Sequence, residues 1–577
     1  MINKYKWILN NLEEDWERIK EEINLPIPII KILWQRGLKK KEEIENFLNP
    51  KAKDLFLPSL LPDIEKAVER IEDAIKKKER ILIFGDYDVD GITATTILLQ
   101  ILKKIGANVN FYIPHREKEG YGLSDTALLY AKSHGYKLVI TVDCGSNDFS
   151  LINFAKKLKL DVIVCDHHEV QQDSNYAFAF INPKRKDSKY PFRELAGVGV
   201  AFKLSWALLQ AFNFNKEDLI ENLDLVSLGT ICDIVPLVGE NRILAKLGLS
   251  YLNKRKRLGL NYLIKEAGLK NKEITSYDIS FIIGPRLNAS GRITHAEKAV
   301  KLLITDSEEE AKELAKELEK DNKKRQLIEE KILKEAKEII KREEKDKNLI
   351  ILLGKEDWHE GVIGICASKI VDEFYKPTIL FNLSENYAKG SGRSIPHFSL
   401  FEVIKANSQY LLKFGGHKYA CGLFLKKKEL KNFEKSLINY IEKNIDKEIY
   451  ERKLFIDCEL NLNEINYELL SYLKKFEPFG IENPSPLFFT RNLEVVGFPR
   501  VVAQKHLKFR VRQKKEEKEA KEVLAFNEAK TILKLACGKE DYLNLVYTFD
   551  EDSFFGKKKI VLYVKDLSIN VAEDKNW

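Results

Sequence analysis

The chain has 577 residues, 44% of them hydrophobic and 32% charged, with a formal net charge of +8. That length exceeds a single core and suits three or four domains, and the mild positive charge permits a nucleic-acid partner without requiring one. The longest apolar runs, such as Leu349 to Leu353, fall far short of the ~20 residues of a membrane span, and the acids in MINKYKWILNNLEEDWERIK exclude a secretory signal. A cytoplasmic protein without membrane contact is expected. Seven cysteines, an odd number with no Cys-x-x-Cys pair, exclude a disulfide framework and read as small buried side chains.

Residues 1–45 read as two short amphipathic helices ending in Phe47-Leu48-Asn49-Pro50. From Ile64 a βα alternation begins: helix 64–77, strand 81–85, helix 92–104, strand 109–113, helix 125–133, strand 138–142, helix 149–158 and strand 162–165. Ile- and Val-rich strands separated by helices predict an α/β fold with a mainly parallel sheet covered on both faces. Residues 198–304 read as helical. Thr305 with Glu308, or Ser307 with Glu310, offers a capping box for a long charged helix running to about Lys345, expected as a solvated connector. A second α/β lobe follows, with strand 349–353, a helix after Trp358-His359-Glu360-Gly361, strand 378–381, two Gly-rich turns and helix 428–444. Beyond it, short alternating strands at 454–460, 492–498, 506–512, 522–526, 543–549 and 559–566 predict a small β-barrel. The expected domains are 1–50, 51–304, 305–346, 347–447 and 448–577.

Four acidic or histidine clusters punctuate the first α/β region: Asp86-Tyr87-Asp88-Val89-Asp90-Gly91, Val142-Asp143-Cys144-Gly145, Cys165-Asp166-His167-His168 and Ile231-Cys232-Asp233-Ile234. Asp86, Asp143 and Asp166 each follow a strand, where ligands sit in parallel sheets. Such groups are costly to bury unless they bind cations. They suit two hard divalent ions and hydrolysis of a phosphate ester. Asp88 and Asp90 fall on a loop entering a helix N-terminus, where the dipole favours phosphate. His167 adds a nitrogen ligand and tilts the choice toward Mn²⁺ over Mg²⁺, while Asp166 can orient a histidine.

Three further segments carry candidate anion contacts. Ser391 and Arg393 lie among glycines that let backbone approach a ligand. Gly415-Gly416-His417 has the same character, and Gly284 to Arg292 places two arginines in a tight loop. On the strand His506-Leu507-Lys508-Phe509-Arg510-Val511-Arg512 strict alternation puts His506, Lys508, Arg510 and Arg512 on one face, an electrostatic track for a phosphate backbone. The run Lys514 to Lys518, mixed in sign, reads as a solvated hairpin tip.

With these motifs and Glu119-Gly120-Tyr121-Gly122, Pro478-Phe479-Gly480 and Asn483-Pro484, the chain resembles, end to end, the RecJ exonucleases of the DHH phosphoesterase superfamily. The resemblance implies a DHH catalytic domain, a DHH-associated substrate-binding domain and an OB-fold that feeds the strand into the cleft. It implies a two-metal, Mn²⁺- or Mg²⁺-dependent 5′-to-3′ exonuclease on single-stranded DNA. Such an enzyme releases 5′-mononucleotides and acts in recombination and in mismatch and base-excision repair. A helicase and a single-strand-binding protein are expected partners of a monomer. The resemblance casts Asp88, Asp90, Asp143, His167 and Asp233 as metal ligands with Asp143 bridging, and Asp86 and His168 as support to the metals or the attacked phosphate. Arg116 and Arg286 become backbone clamps, Ser391 and Arg393 the pocket for the terminal 5′-phosphate, and His417 a further substrate contact.

Two departures qualify it. Glu482 puts a negative charge into Gly480-Ile481-Glu482-Asn483-Pro484, and the end of the chain soon after the barrel leaves contacts made by a further domain unimplied. Two other readings remain open: a phosphodiesterase of short oligonucleotides or cyclic dinucleotides, and a catalytically silent strand-binding factor.

Overall fold

A computed structural model describes residues 4–10, 16–116, 118–171, 176–215, 217–513, 520–529, 542–554 and 557–570. The chain divides into two compact units, one of residues 51–450 with 480–482, the other of 1–50, 451–479 and 483–577.

The second unit begins at the N-terminus, with strand β1 (Lys6–Leu9) and helices α1 (Trp16–Glu22), α2 (Ile27–Gln35) and α3 (Lys41–Leu48). These are not a separate segment. Ile29, Ile30, Ile32 and Leu33 of α2 share one core with residues from 458 to 567. Arg36 donates to the Asn483 side chain and, at 2.6 Å, to the Pro484 carbonyl, with its guanidinium over the Phe476 ring. Fully burying each of those aliphatic side chains contributes about 1.5–3 kcal/mol. A chain begun at Lys51 but kept to Trp577 is therefore expected to lose one of two calorimetric unfolding transitions, while the 51–450 transition persists.

In the first unit, helix α4 (Ile64–Lys76) precedes strands β2 (Arg80–Gly85), β3 (Asn108–Tyr112), β4 (Tyr136–Val142), β5 (Asp161–Cys165) and β6 (Ala179–Ile181). They form one all-parallel sheet in the order β3-β2-β4-β5-β6. Helices α5 (Val89–Lys104), α6 (Asp125–Ser133) and α7 (Phe149–Lys157) make the crossovers. The inner strands β2, β4 and β5 are buried nearly throughout, as strands covered on both faces require, while the edge strand β3 is partly exposed. Helices α8 (Gly197–Ala211), α9 (Glu217–Ile220), α10 (Leu223–Cys232), α11 (Gly239–Leu252), α12 (Leu258–Glu266), α13 (Ser276–Asp278), α14 (Gly284–Ile293) and α15 (Glu297–Ile304) follow, with a π-turn at Ile279–Ile283. The expected tight loop at 284–292 is thus helical.

Helix α16 (Glu308–Arg342) spans 35 residues, capped by the Ser307 hydroxyl, which accepts from the Glu310 amide. It is not a solvated connector. It packs on α12, α14 and α15, then on helix α17 (Glu360–Phe374). Its middle buries Asp321, Asn322, Arg325 and Glu329: Arg325 donates to Glu329 at 2.6 Å and to Asn322 at 3.0 Å, and Asp321 accepts from the Thr294 hydroxyl at 2.6 Å. Alternation of charge along the sequence hides such internal pairing.

Strands β7 (Ile351–Lys355), β8 (Thr378–Leu383), β9 (Tyr387–Arg393), β10 (Leu411–His417) and β11 (Ala420–Lys426) form a sheet in the order β10-β11-β9-β8-β7, flanked by α17, helix α18 (Leu400–Ala406) and helix α19 (Leu430–Asn444). Both Gly-rich segments, expected as turns, are strands. Gly390 is needed for close packing: a Cβ there would lie 2.4 Å from the Phe381 ring.

The second unit resumes with β12 (Lys453–Ile456), β13 (Cys458–Glu459) and helix α20 (Tyr467–Phe476). Strands β14 (Phe488–Val502), β15 (His506–Gln513), β16 (Lys521–Ala525), β17 (Tyr542–Phe554) and β18 (Lys557–Asn570) follow. β12 lies parallel to β1. The order β14-β15-β16-β18-β17, closed by β14 pairing with β17, is a five-stranded barrel. Lys514 to Lys518 and Cys537 lie outside the described residues.

Candidate functional site

The parallel sheet delivers the acidic motifs to one end. β2 stops at Gly85, and the chain turns through Asp86 and Asp88 into α5. Asp88 caps that helix, its Oδ1 accepting from the amides of Asp90 (2.9 Å) and Gly91 (3.1 Å). Gly91 admits the turn, since a Cβ there would sit 2.5 Å from the Asp86 carbonyl oxygen. Asp90 is buried, its carboxylate accepting from the Gly197 (2.7 Å) and Val198 (2.8 Å) amides at the start of α8. Asp143, after β4, adopts left-handed backbone with φ 61°, a strained conformation typical of functional sites. Gly197 packs against it so closely that a Cβ would come within 2.6 Å of its Oδ1. Asp166 and His167 follow β5, and Asp233 ends α10.

Among the described residues these side chains converge in three overlapping groups, each with ligand atoms within 4.8 Å of one another: two ligand sets, Asp90, His167 and Asp233, and Asp86, Asp88 and Asp143, and a third group of Asp143, Asp166, His167 and His168. His167 Nε2 lies 3.1 Å from Asp143 Oδ1, 3.6 Å from Asp233 Oδ2 and 3.9 Å from Asp90 Oδ2, so the sets adjoin at Asp143. Asp86, expected as support, stands among the potential ligands. Among the described residues, buried Asp86 Oδ1, Asp143 Oδ1, Asp233 Oδ2 and both ring nitrogens of His167 have no hydrogen-bond partner. Orphaned buried carboxylate oxygens are costly. Burial, then the negative charge of Asp88, pushes the Asp86 carboxyl up, and the same causes raise Asp90 to about 7. Asp143 and Asp233 are pushed well up by burial, then by Asp90 and Asp88. Burial, then His168, lowers His167 to about 3, leaving a neutral imidazole. A neutral imidazole and four carboxyls that resist ionisation without a counter-charge are the donor set of divalent-cation sites, and the residues fit two ions.

His168 differs from its neighbour. Its Nδ1 lies 2.8 Å from Asp166 Oδ1, and Asp166 is anchored by the amides of Ser146 and His167. Burial works against charge here, but the Asp166 carboxylate outweighs it and raises His168 to about 9. The Tyr121 hydroxyl lies 3.1 Å from His168 Nε2, and His417 stacks on the same ring at 6.3 Å.

Beside the acids lies a cluster of guanidiniums. Arg116 sits over the Tyr87 ring at 4.8 Å. Arg292 donates to the Gly361 carbonyl at 2.9 Å, and Arg393 donates to Ser391 Oγ at 3.1 Å. Burial, then the like charges of Arg116, Arg393 and Arg325, lowers Arg292 to about 9. Burial, then Arg116, also lowers Arg393. Mutually repelling guanidiniums beside Ser391 and the N-terminus of α17 could together hold an anion. Arg286 does not join them: it pairs with Glu319 at 2.7 Å and donates to the Ile282 carbonyl. Arg292, which sequence reasoning left without a role, stands in its place. Its signal was membership of a helix whose Asn288 accepts from the Val89 amide.

On the barrel, His506, Lys508, Arg510 and Arg512 share a face as expected, but their charge is partly matched. Lys508 pairs with Glu522 at 2.9 Å and Arg512 with Glu494 at 3.0 Å. Arg510 reaches the Ala520 carbonyl at 3.5 Å, and His506 Nδ1 accepts from the Asn527 amide. Asn483 is fully buried, its amide bonded to the Phe476 and Pro478 carbonyls, so that loop position serves the fold.

Residues 80–230 match the DHH family N-terminal domain, 346–443 the DHHA1 domain and 456–566 the RecJ OB domain. The chain is 36% identical over 574 residues to the single-stranded-DNA-specific exonuclease RecJ of Bacillus subtilis, covering 99% of this chain and 72% of that protein. It is 33% identical over 518 residues to the Escherichia coli protein of the same name, covering 85% and 88%. The crystal structure of RecJ in complex with Mn²⁺ from Thermus thermophilus superposes with a TM-score of 0.83 at 28% identity, covering 99% of this chain and 81% of that one. A complex with Mg²⁺ is also similar. The chain belongs to the RecJ family of DHH phosphoesterases.

Proposed function

We propose that this protein is a two-metal exonuclease that removes mononucleotides from the 5′ end of single-stranded DNA, in recombination and repair. The observation that carries the reading is the juxtaposition of two carboxylate-rich ligand sets with an arginine pocket. One site can hold metal ions, the other the charge of a terminal phosphate.

Asp90, His167 and Asp233 would hold one ion, and Asp86, Asp88 and Asp143 the other, with Asp143 shared. Mn²⁺ or Mg²⁺ bound there would activate a water and clamp the attacking and leaving oxygens of the phosphodiester. Around that centre the chain's own groups bind and orient. Arg116, Arg292, Arg393 and Ser391 grip the terminal 5′-phosphate and so set the distance from the strand end to the bond cut. His168, kept protonated by Asp166, points its charge toward the acids, where it can donate a hydrogen bond to a phosphoryl oxygen. His417, stacked on it, contacts the same nucleotide. His506, Lys508 and Arg510 offer the barrel's contacts to the rest of the strand.

The test of this pocket is the response to the 5′ group. Wild-type protein is expected to cut a 5′-phosphorylated strand faster than a 5′-hydroxyl strand. Arg393→Ala should reduce that preference by roughly 10-fold or more, the scale of a charge-assisted contact. Unchanged preference in the variant would remove Arg393 from the pocket.

A further inference from the structure

Glu119 falls in the motif Glu119-Gly120-Tyr121-Gly122, yet among the described residues it belongs to none of the groups able to hold a metal ion. Its carboxylate is instead the hub of the chain between β3 and α6. Oε1 accepts from the His115 amide at 2.7 Å. Oε2 accepts from the Tyr112 hydroxyl at 3.0 Å and from the Ser124 hydroxyl at 2.8 Å. The Glu119 amide donates back to the His115 carbonyl at 2.8 Å. Tyr112 ends β3, and Ser124 caps α6 by accepting from the Ala127 amide. One side chain thus pins the end of a strand, the start of a helix and the residue beside Arg116. Gly120 and Gly122, both at φ 86°, let the backbone fold back over it.

Arg116 is the cation that this loop carries, lying over the ring of Tyr87 between Asp86 and Asp88. A charged side chain on a loose loop must be ordered at the moment of binding, and that ordering subtracts from affinity. A loop tied at three points has met this cost in folding. On the far side of the motif Asp148 does the same for the next residues: its Oδ2 accepts from the Leu123 amide at 2.7 Å.

We infer that Glu119 is a positioning residue, which holds the loop so that the Arg116 guanidinium is in place for the terminal 5′-phosphate before a strand arrives. The inference rests on the proposed phosphate pocket. The role is one of geometry and not of charge. A glutamine can stand in for the carboxylate, its oxygen accepting from the His115 amide and its NH₂ donating to the two hydroxyl oxygens, because a hydroxyl both donates and accepts. An alanine cannot.

The experiment uses the full chain with Mn²⁺ and measures kcat/KM on one single strand carrying either a 5′-phosphate or a 5′-hydroxyl. Glu119→Ala is expected to lower the ratio of the two about fivefold or more, the scale of a weakened charge-assisted contact, with most of the loss on the phosphorylated strand. Glu119→Gln should keep the ratio within about twofold of wild type. Tyr112→Phe retains the ring and removes one bond, so it should lower the ratio by a smaller factor even if Glu119→Ala does not fold. Arg116→Ala should lower the ratio too, and adding Glu119→Ala to it should lower it no further, since residues acting through one contact are not additive. Equal loss on both strands, further loss in the double variant, a loss in Glu119→Gln as large as in Glu119→Ala, or an unchanged ratio in Tyr112→Phe would overturn the positioning role. A wild-type ratio near one would instead refute the phosphate pocket on which it rests.

Discussion

Replacing Asp143 with alanine is expected to lower the rate of strand cleavage by roughly 10⁴-fold or more, about 5–6 kcal/mol of barrier. Asp143 stands where the two ligand sets adjoin, with His167 at 3.1 Å on one side and the Asp86–Asp88 pair on the other. Its loss dismantles both together, whereas Asp233 serves one. The left-handed backbone at Asp143 and the space kept clear by Gly197 show how narrowly this carboxylate is positioned. The alanine fits the volume, so folding and strand binding should persist. Hydrolysis of a labelled strand, followed alongside anisotropy, separates the two quantities. Near-normal cleavage by this variant would mean that the carboxylate does not serve the metals.

The second large effect is on stability. A carboxyl whose pKa is higher in the folded than in the unfolded chain, where it is about 3.9, binds an extra proton when folded. Its stabilisation is complete below the unfolded value and is lost as pH rises through the folded one, about 7 for Asp90. His168, raised to about 9, likewise loses its contribution as pH climbs from about 6.5. His167, held neutral, has the opposite sign but acts only below about 6.5. Between pH 6.5 and 8.5 the metal-free protein should therefore melt progressively lower. Saturating Mn²⁺ should raise Tm at pH 8.5 on the order of 5 °C, and by less at pH 6.5. Asp233→Asn, which removes one buried acid, should melt higher than wild type without metal at pH 8.5 and gain less from Mn²⁺. A metal-free Tm that rises with pH over this window would contradict the electrostatic description of the site.

What could be read in the sequence follows from how each feature is encoded. The parallel sheet was legible because βα alternation is local, and the candidate metal cluster because strand ends carry its acids and histidines in contiguous motifs. The Asp166–His168 contact was legible for the same reason. Features that depend on distant chain were not. Nothing within residues 1–50 shows that Ile29 and Leu33 complete a core with residues more than 400 positions away. Glycine spacing at 390–392 looks like a turn until the Phe381 ring that needs the room is in place. Period-two alternation placed Lys508 and Arg512 on one face but could not name Glu522 and Glu494 as their cross-strand partners. Arg286 and Arg292 were indistinguishable as letters. Helix geometry turns the first to Glu319 and the second to the Gly361 carbonyl beside Arg393.

An anion pocket beside two metal sites would measure inward from a 5′ terminus. The most direct measurement compares two single strands of one sequence, labelled at the 5′ or the 3′ end, incubated with Mn²⁺ beside a blunt duplex control. Immediate release of a 5′-labelled mononucleotide, gradual shortening of the 3′-labelled strand and an untouched duplex are the expected result. Early loss of the 3′ label would contradict the pocket's role, and binding without cleavage at any metal concentration would contradict the metal sites themselves.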